Sequence, residues 1–224
     1  MRVKICGTKN LNEARMAVSL GADAVGFLLG LNDFSEDEVD GATARHIIAR
    51  LPPFVSSVLV THKTDSEWIV EACKQIGCTV IQLHGDFAID EIPALKEKVP
   101  HMRVIKTIHV ENAGAVASAL AASRWADAIL LDTMTGTRIG GTGVTHDWSI
   151  SGRIVKMIDK PVVLAGGLNP QNVRRAIALV SPFAVDVNSG VENPDGSKSA
   201  EKVESFIRAA KAATEARGPE GLGT

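Results

Sequence analysis

Arg2-Val3-Lys4-Ile5-Cys6-Gly7 opens the chain, and its reading decides the fold. The run is mostly apolar, ends in a thiol and a glycine, and passes into a helical pattern. Similar ends recur downstream. Ala128-Ile129-Leu130-Leu131-Asp132 closes on a carboxylate, while Leu164-Ala165-Gly166-Gly167 and Asp186-Val187-Asn188-Ser189-Gly190 close on glycine-containing loops. Runs at 2–6, 24–29, 55–60, 78–83, 102–107, 127–132, 161–165 and 183–187 read as strands. Each is apolar on both faces, as parallel strands covered by helices are. Amphipathic stretches near 10–20, 41–50, 65–76, 88–98, 112–122, 149–158, 170–179 and 199–213 alternate with them. Eight β-α units in 224 residues, about 28 residues each, predict a compact α/β protein, a (β/α)8 TIM barrel. A doubly wound open sheet is the alternative. It is disfavoured because no single glycine-rich first turn dominates and polar strand ends occur near both termini.

Composition fits one large domain. Hydrophobic residues make up 45% of the chain, enough for a sizeable core. No composition shift marks a boundary, so residues 1–213 are expected to form one barrel and residues 214–224 a disordered tail. A net charge of −2 and a pI near 6.3 offer no basic excess for nucleic acid. No apolar run approaches the roughly 20 residues of a membrane span. The first residues already read as a strand, so no signal peptide and a cytoplasmic location are expected. Cys6, Cys73 and Cys78 make no disulfide framework, and the last two read as small buried residues. Histidines 46, 62, 84, 101, 109 and 146 show no zinc-binding spacing, so no metal is expected.

Local signals agree with the element pattern. Asn10 with Glu13 reads as a weak capping box, and Gly21 closes the helix it opens. Asn169-Pro170 puts a cap residue before a proline suited to the first helical position. Asp147-Trp148 reads as the cap and anchor of the next helix.

In a closed barrel the strand C-termini converge on one mouth, where catalytic groups sit. The candidates there are Cys6, His84, Lys106, Asp132 and Asp186, with glycines near 140–143, 166–167 and 189–190. Cys6 could be simple packing, but Lys4 beside it and the Gly7-Thr8 loop above it predict a depressed thiol pKa, suited to a nucleophile or general base. Asp132 could merely cap a loop. Paired with Cys6, it suits a general acid if burial raises its pKa. Gly166-Gly167 and Ser189-Gly190 follow the last two strands, where barrels commonly hold phosphate through backbone N–H groups and helix ends. His84 at a strand end is as readily a structural hydrogen-bonding residue. The loop Gly140-Gly141-Thr142-Gly143 is either an inert cover or one that closes over substrate. A thiol, an acid and two phosphate-type loops predict acid–base chemistry on a phosphorylated substrate.

Taken in order, these residues resemble the phosphoribosylanthranilate isomerases of tryptophan biosynthesis. The likeness runs over about residues 2–208. It is carried by Lys4-Ile5-Cys6-Gly7, Gln82-Leu83-His84-Gly85, Leu130-Leu131-Asp132, Gly140-Gly141-Thr142-Gly143 with Asp147-Trp148, Leu164 to Pro170, and Val185-Asp186-Val187 with Ser189-Gly190-Val191-Glu192. The resemblance implies an Amadori rearrangement without cofactor, in which a phosphoribosyl aminoaldose opens and becomes an aminoketose. By that analogy Asp132 protonates the ring oxygen and Cys6 removes the proton from sugar C2. Lys4, His84 and Asp186 contact the substrate, and Gly141, Gly166, Gly167, Ser189 and Gly190 hold the phosphate. The implied partner is a small phosphoribosyl substrate, in a monomer or homodimer.

One region departs from the family pattern. The family usually follows its second strand with Ser-Pro-Arg, whose arginine meets the anthranilate carboxylate. Here the segment is Gly30-Leu31-Asn32-Asp33-Phe34-Ser35-Glu36-Asp37-Glu38, acidic and without arginine. Lys63, after His62 at the end of strand three, is the nearest cation in barrel order and becomes the candidate for that carboxylate. Asn188 also replaces the first serine of the usual strand-eight pair. Two alternatives therefore stand beside the isomerase: a paralogous ribose-phosphate isomerase or lyase with another aglycone, and a non-catalytic sugar-phosphate-binding barrel.

Overall fold

A computed structural model describes residues 1–135, 138–139 and 145–215. Eight strands, β1 (Arg2–Ile5), β2 (Ala24–Leu28), β3 (Ser56–Thr61), β4 (Val80–Leu83), β5 (Arg103–His109), β6 (Ala128–Asp132), β7 (Val162–Leu164) and β8 (Ala184–Val187), pair in parallel and close on themselves through β1 and β8. Eight helices alternate with them: α1 (Leu11–Ser19), α2 (Gly41–Ile48), α3 (Ser66–Ile76), α4 (Ile92–Lys98), α5 (Ala115–Ser123), α6 (Trp148–Met157), α7 (Val173–Val180) and α8 (Ala200–Glu215). This is the expected (β/α)8 barrel. A short antiparallel pair, Met134–Thr135 with Arg138–Ile139, follows β6. None of the described helices is long and apolar enough to cross a membrane.

Successive strand residues point to opposite faces, and the packing follows that period of two. Val3, Ile5, Val25, Phe27, Leu59, Ile81, Leu83, Ile129, Leu131 and Leu164 join one large cluster with the helices. Alternate residues fill the barrel interior in two smaller groups: Cys6, Val58 and Val60 on one side, Leu130, Val163, Ala165 and Ala184 on the other. Phe27 and Phe206 are fully buried, each contributing about 1.5–3 kcal/mol through its removal from water. Polar side chains interrupt the interior only toward the strand C-termini, and that end is the mouth.

Several element boundaries differ from the sequence expectation, three of them with a consequence. β5 runs two residues beyond 107, so its mouth-side end is His109 and not Lys106. Lys106 instead donates to the Gly85 carbonyl at 2.6 Å. α7 begins at Val173 because Asn169 Oδ1 accepts from the N–H groups of Gln171 and Asn172, capping a turn ahead of the helix. α8 continues to Glu215, two residues past the expected end of the barrel. The rest of the expected tail, 216–224, and Gly140–Gly143 with Gly141 lie outside the described residues. Other local expectations are met. Asn10 Oδ1 accepts from Glu13 N at 3.0 Å, while Glu13 reaches back to Lys9 N at 2.9 Å. Asp147 caps α6 through Ser149 N at 2.9 Å.

Candidate active site

Lys4 and Asp186 occupy one rung of the β1–β8 ladder, and their side chains form a buried ion pair with Nζ to Oδ2 of 2.9 Å. Cys6 follows Lys4 by one strand period, so its thiol stands above the ammonium on the interior face. Gly26 on β2 makes room for both. A Cβ there would lie 2.9 Å from Cys6 Sγ and 2.9 Å from Lys4 Cε. The first strand thus presents a thiol, a cation and, across the seam, a carboxylate.

The electrostatics of Cys6 run against the sequence expectation. Burial pushes the thiol above its ordinary range, and the Lys4 charge only partly offsets this while the Asp186 carboxylate adds to it. Lys4 beside a thiol was the reason to expect a depressed pKa, but loss of solvent outweighs one ammonium already neutralised by Asp186. Burial alone would lower Lys4 as well. The neighbouring Asp186 and Cys6 outweigh that and hold the ammonium above the usual lysine range.

Asp132, at the end of β6, is raised to about 7, first by burial, against the pull of the Thr133 N–H that binds its Oδ1 at 2.7 Å; Asp186 pushes the same way as burial. Near neutral pH it therefore has a proton to give, as the acid reading requires. Two groups fix its position. Gly166, with φ of +79°, lets β7 approach so closely that a Cβ would lie 2.8 Å from Asp132 Oδ1 and collide with Thr133. His146 links Thr133 Oγ1, at 2.9 Å, to Ser151 Oγ of α6, at 2.6 Å. Residues 133 and 146 bracket the loop after β6, so this imidazole ties the loop's two ends to the barrel. Burial depresses it to about 4, keeping it neutral.

His84 Nε2 lies 3.5 Å from Asp132 Oδ2. The ring stacks on His62, with centroids 5.4 Å apart, and meets His109 edge-on at 5.3 Å. Burial lowers all three imidazoles below their ordinary pKa. Gln82 and Thr107 face His84 Nδ1 at 3.2 and 3.3 Å. Sequence reasoning placed His84 at the mouth and named His62 only beside Lys63, as a candidate for the carboxylate; His109, at the end of the neighbouring β5, carries no local motif.

The phosphate-type loops also meet. Gly166 and Gly167 both have positive φ, and Gly190 packs against the Leu168 carbonyl so tightly that no Cβ fits. Among the described residues, the backbone N–H groups of Gly166, Gly167, Ser189 and Gly190 donate to no protein acceptor. Asn188 serves a different purpose from the serine it replaces. Its amide donates to Asp37 Oδ2 at 2.9 Å and accepts from Lys198 Nζ. Asp37 also pairs with Lys9 at 3.2 Å, so the acidic loop after β2 is tied to the loops after β1 and β8. Lys63 is not brought to this cluster. Its ammonium lies over the Trp68 ring of α3, 5.9 Å from the centroid.

The family model for N-(5'phosphoribosyl)anthranilate isomerase matches residues 3–209. The N-(5'-phosphoribosyl)anthranilate isomerase 2 of Methanosarcina mazei is 41% identical over 213 residues, covering 94% of each chain. The crystal structure of phosphoribosyl anthranilate isomerase from Thermotoga maritima superposes with a TM-score of 0.84 at 40% identity, over 95% of this chain and 99% of that one. A phosphoribosyl anthranilate isomerase in complex with reduced 1-(o-carboxyphenylamino)-1-deoxyribulose 5-phosphate superposes with a TM-score of 0.81 at 37% identity, over 95% and 99% of the two chains. A family match over nearly the whole barrel, with the thiol, acid and glycine loops on the strands where the pattern requires them, identifies the chain as a member of the N-(5'-phosphoribosyl)anthranilate isomerase family.

Proposed function

We propose that the protein converts N-(5'-phosphoribosyl)anthranilate to 1-(o-carboxyphenylamino)-1-deoxyribulose 5-phosphate by acid–base catalysis. Asp132 gives its proton to the furanose ring oxygen as the C1–O bond breaks, leaving an open-chain Schiff base. The Cys6 thiolate takes the proton from C2, and the resulting enolamine tautomerises to the ketone. The substrate gains one proton from Asp132 and loses one to Cys6, tautomerisation moves another from the C2 hydroxyl to C1, and the two side chains reset by proton exchange with water, so the steps are redox-neutral within the substrate. Lys4 stabilises the thiolate, and the buried Asp186 Oδ1, which has no partner among the described residues, offers an acceptor for a sugar hydroxyl. His84, 3.5 Å from Asp132, borders the same substrate space. The phosphate is held by the N–H groups of Gly166, Gly167, Ser189 and Gly190.

The observation that carries this reading is the meeting of the Asp132 carboxyl, the Cys6 thiol beside the Lys4–Asp186 pair and the Gly166 loop at one end of the barrel, where burial raises Asp132 to about 7. The thiol is the weaker acid of the two, so the reacting form is the one with Cys6 ionised and Asp132 protonated. The test is complementation of a tryptophan auxotroph lacking this isomerase, with turnover of the purified protein on the anthranilate substrate. Growth and turnover, both lost in Cys6→Ala, are expected. A well-folded, soluble protein with neither would shift the assignment to an enzyme for another aglycone.

A further inference from the structure

The imidazoles beside Asp132 have a second use. One ligand-capable atom from each of His84, His109 and Asp132 lies within 4.8 Å of the other two. A tetrahedral zinc-class ion, with bonds of about 2.0–2.2 Å, holds neighbouring donors roughly 3.4 Å apart. The His84–Asp132 pair is already at 3.5 Å. Bringing the third ligand in requires about 1.4 Å of side-chain adjustment.

Among the described residues, two buried polar atoms around this group have no partner: His109 Nδ1 and Gln82 Oε1. Gln82 is only 1% exposed. The His84 carbonyl, 3.3 Å from His109 Nε2, selects the tautomer with the proton on Nε2 and leaves a lone pair on Nδ1. Gln82 places its amide nitrogen 3.2 Å from His84 Nδ1. Rotating that amide by half a turn brings Oε1 to the same place, where it accepts from Nδ1–H. His84 Nε2 then carries a lone pair toward Asp132. A bound cation thus satisfies the orphaned His109 Nδ1, with Gln82 and a backbone carbonyl as the outer supports usual for metal-bound histidine. Two imidazoles and one carboxylate select the zinc class over magnesium or calcium. The Lys4 and Lys106 ammonium groups oppose the cation, and the Asp132 carboxylate is its nearest counter-charge.

We propose that His84, His109 and Asp132 form a binding site for a divalent transition-metal ion, and that filling it suppresses turnover by taking up the Asp132 carboxylate. The suppression rests on the acid role given to Asp132 above; the binding does not.

The test titrates chelator-stripped full-length protein with Co2+ by visible absorption and with Zn2+ against a chromophoric chelator, following turnover in parallel. The expected result is one equivalent bound with a dissociation constant below about 10 μM. Cobalt should show no thiolate charge-transfer band, and turnover should fall with the same midpoint and return on adding EDTA. His109→Ala should weaken binding and shift the inhibition midpoint at least ten-fold, each read against that variant's own metal-free turnover. His46→Ala should change neither. Should His109→Ala fail to fold, the near-isosteric Asp132→Asn reads the binding alone. Absence of stoichiometric binding below about 0.1 mM, a thiolate band, or unchanged binding in both variants would overturn the site. Tight binding at this site with turnover unaffected would overturn the suppression. A protein that binds the metal but never turns over the anthranilate substrate leaves the site standing and removes the isomerase reading.

Discussion

Lys4 and Asp186 meet at 2.9 Å across the seam where the first and last strands close the barrel, each almost fully buried. The pair joins the chain's two ends at the same rung that supports the Cys6 thiol. It fastens the fold, and its Lys4 charge partly offsets the cost of ionising the buried thiol.

Removing one partner should therefore damage both. Lys4→Met strands a buried carboxylate and should destabilise the protein by about 3–5 kcal/mol, while also lowering kcat. Adding Asp186→Asn should recover part of the stability and none of the activity, because the unpaired charge is gone but the thiol still lacks its cation. Urea unfolding and steady-state kinetics of the two single variants and the double variant measure this. Equal instability of the single and double variants would show that the ion pair is not the origin of the effect.

The pH profile should be a bell with its limbs assigned in reverse. The proposed mechanism needs Cys6 as thiolate and Asp132 protonated, yet burial raises the acid to about 7 and the thiol above its ordinary range. Below about pH 7 the acid is fully protonated and kcat/KM rises with the thiolate fraction. Between the two pKa values the gain in thiolate cancels the loss of acid. Above the thiol pKa the rate falls. Alkylation of Cys6 by iodoacetamide reads the thiol separately and should accelerate along the alkaline limb. Acceleration centred near pH 7 would mean the thiol is the lower of the two groups.

Inorganic phosphate should compete with substrate by occupying the space between the β7 and β8 loops. Gly190→Ala, whose added Cβ meets the Leu168 carbonyl, should push these loops apart and weaken phosphate inhibition together with substrate KM. An anion found only elsewhere on the mouth in a phosphate-soaked crystal would argue against this placement.

His146 should make stability pH-dependent. Its folded pKa, near 4, lies below the ordinary 6.5, so the neutral ring's contribution is fully present above about pH 6.5 and lost as pH falls toward 4. Between pH 7 and pH 4.5 the wild-type Tm should drop more than that of His146→Asn, which has no proton to take up. Parallel curves for the two proteins would remove His146 as the linked group.

The barrel was legible because its signals are local. Parallel strands buried on both faces leave β-branched runs, and caps such as Asn10 and Asp147 announce the helices between them. Cys6, Asp132 and Asp186 were legible for the same reason, since each stands at or beside a strand end. Boundaries were less so. Two extra residues on β5 exchange Lys106 for His109 at the mouth, and only pairing with β4 and β6 decides where a strand stops. The acidic loop after β2 read as a departure without a destination until Asp37 met Lys9 and Asn188.

The order of the units, and the chemical groups that stand at their ends, are written in the chain itself. Tertiary structure decided the groups' neighbours and therefore their chemistry. Three imidazoles from 62, 84 and 109 share no spacing, yet barrel closure brings them beside Asp132. Cys6 and Lys4 suggested an acidified thiol, but the depth of the site reversed the direction. The physical reason is common to both: proximity across strands and loss of water depend on how the chain closes, and neither is carried by residues adjacent in sequence.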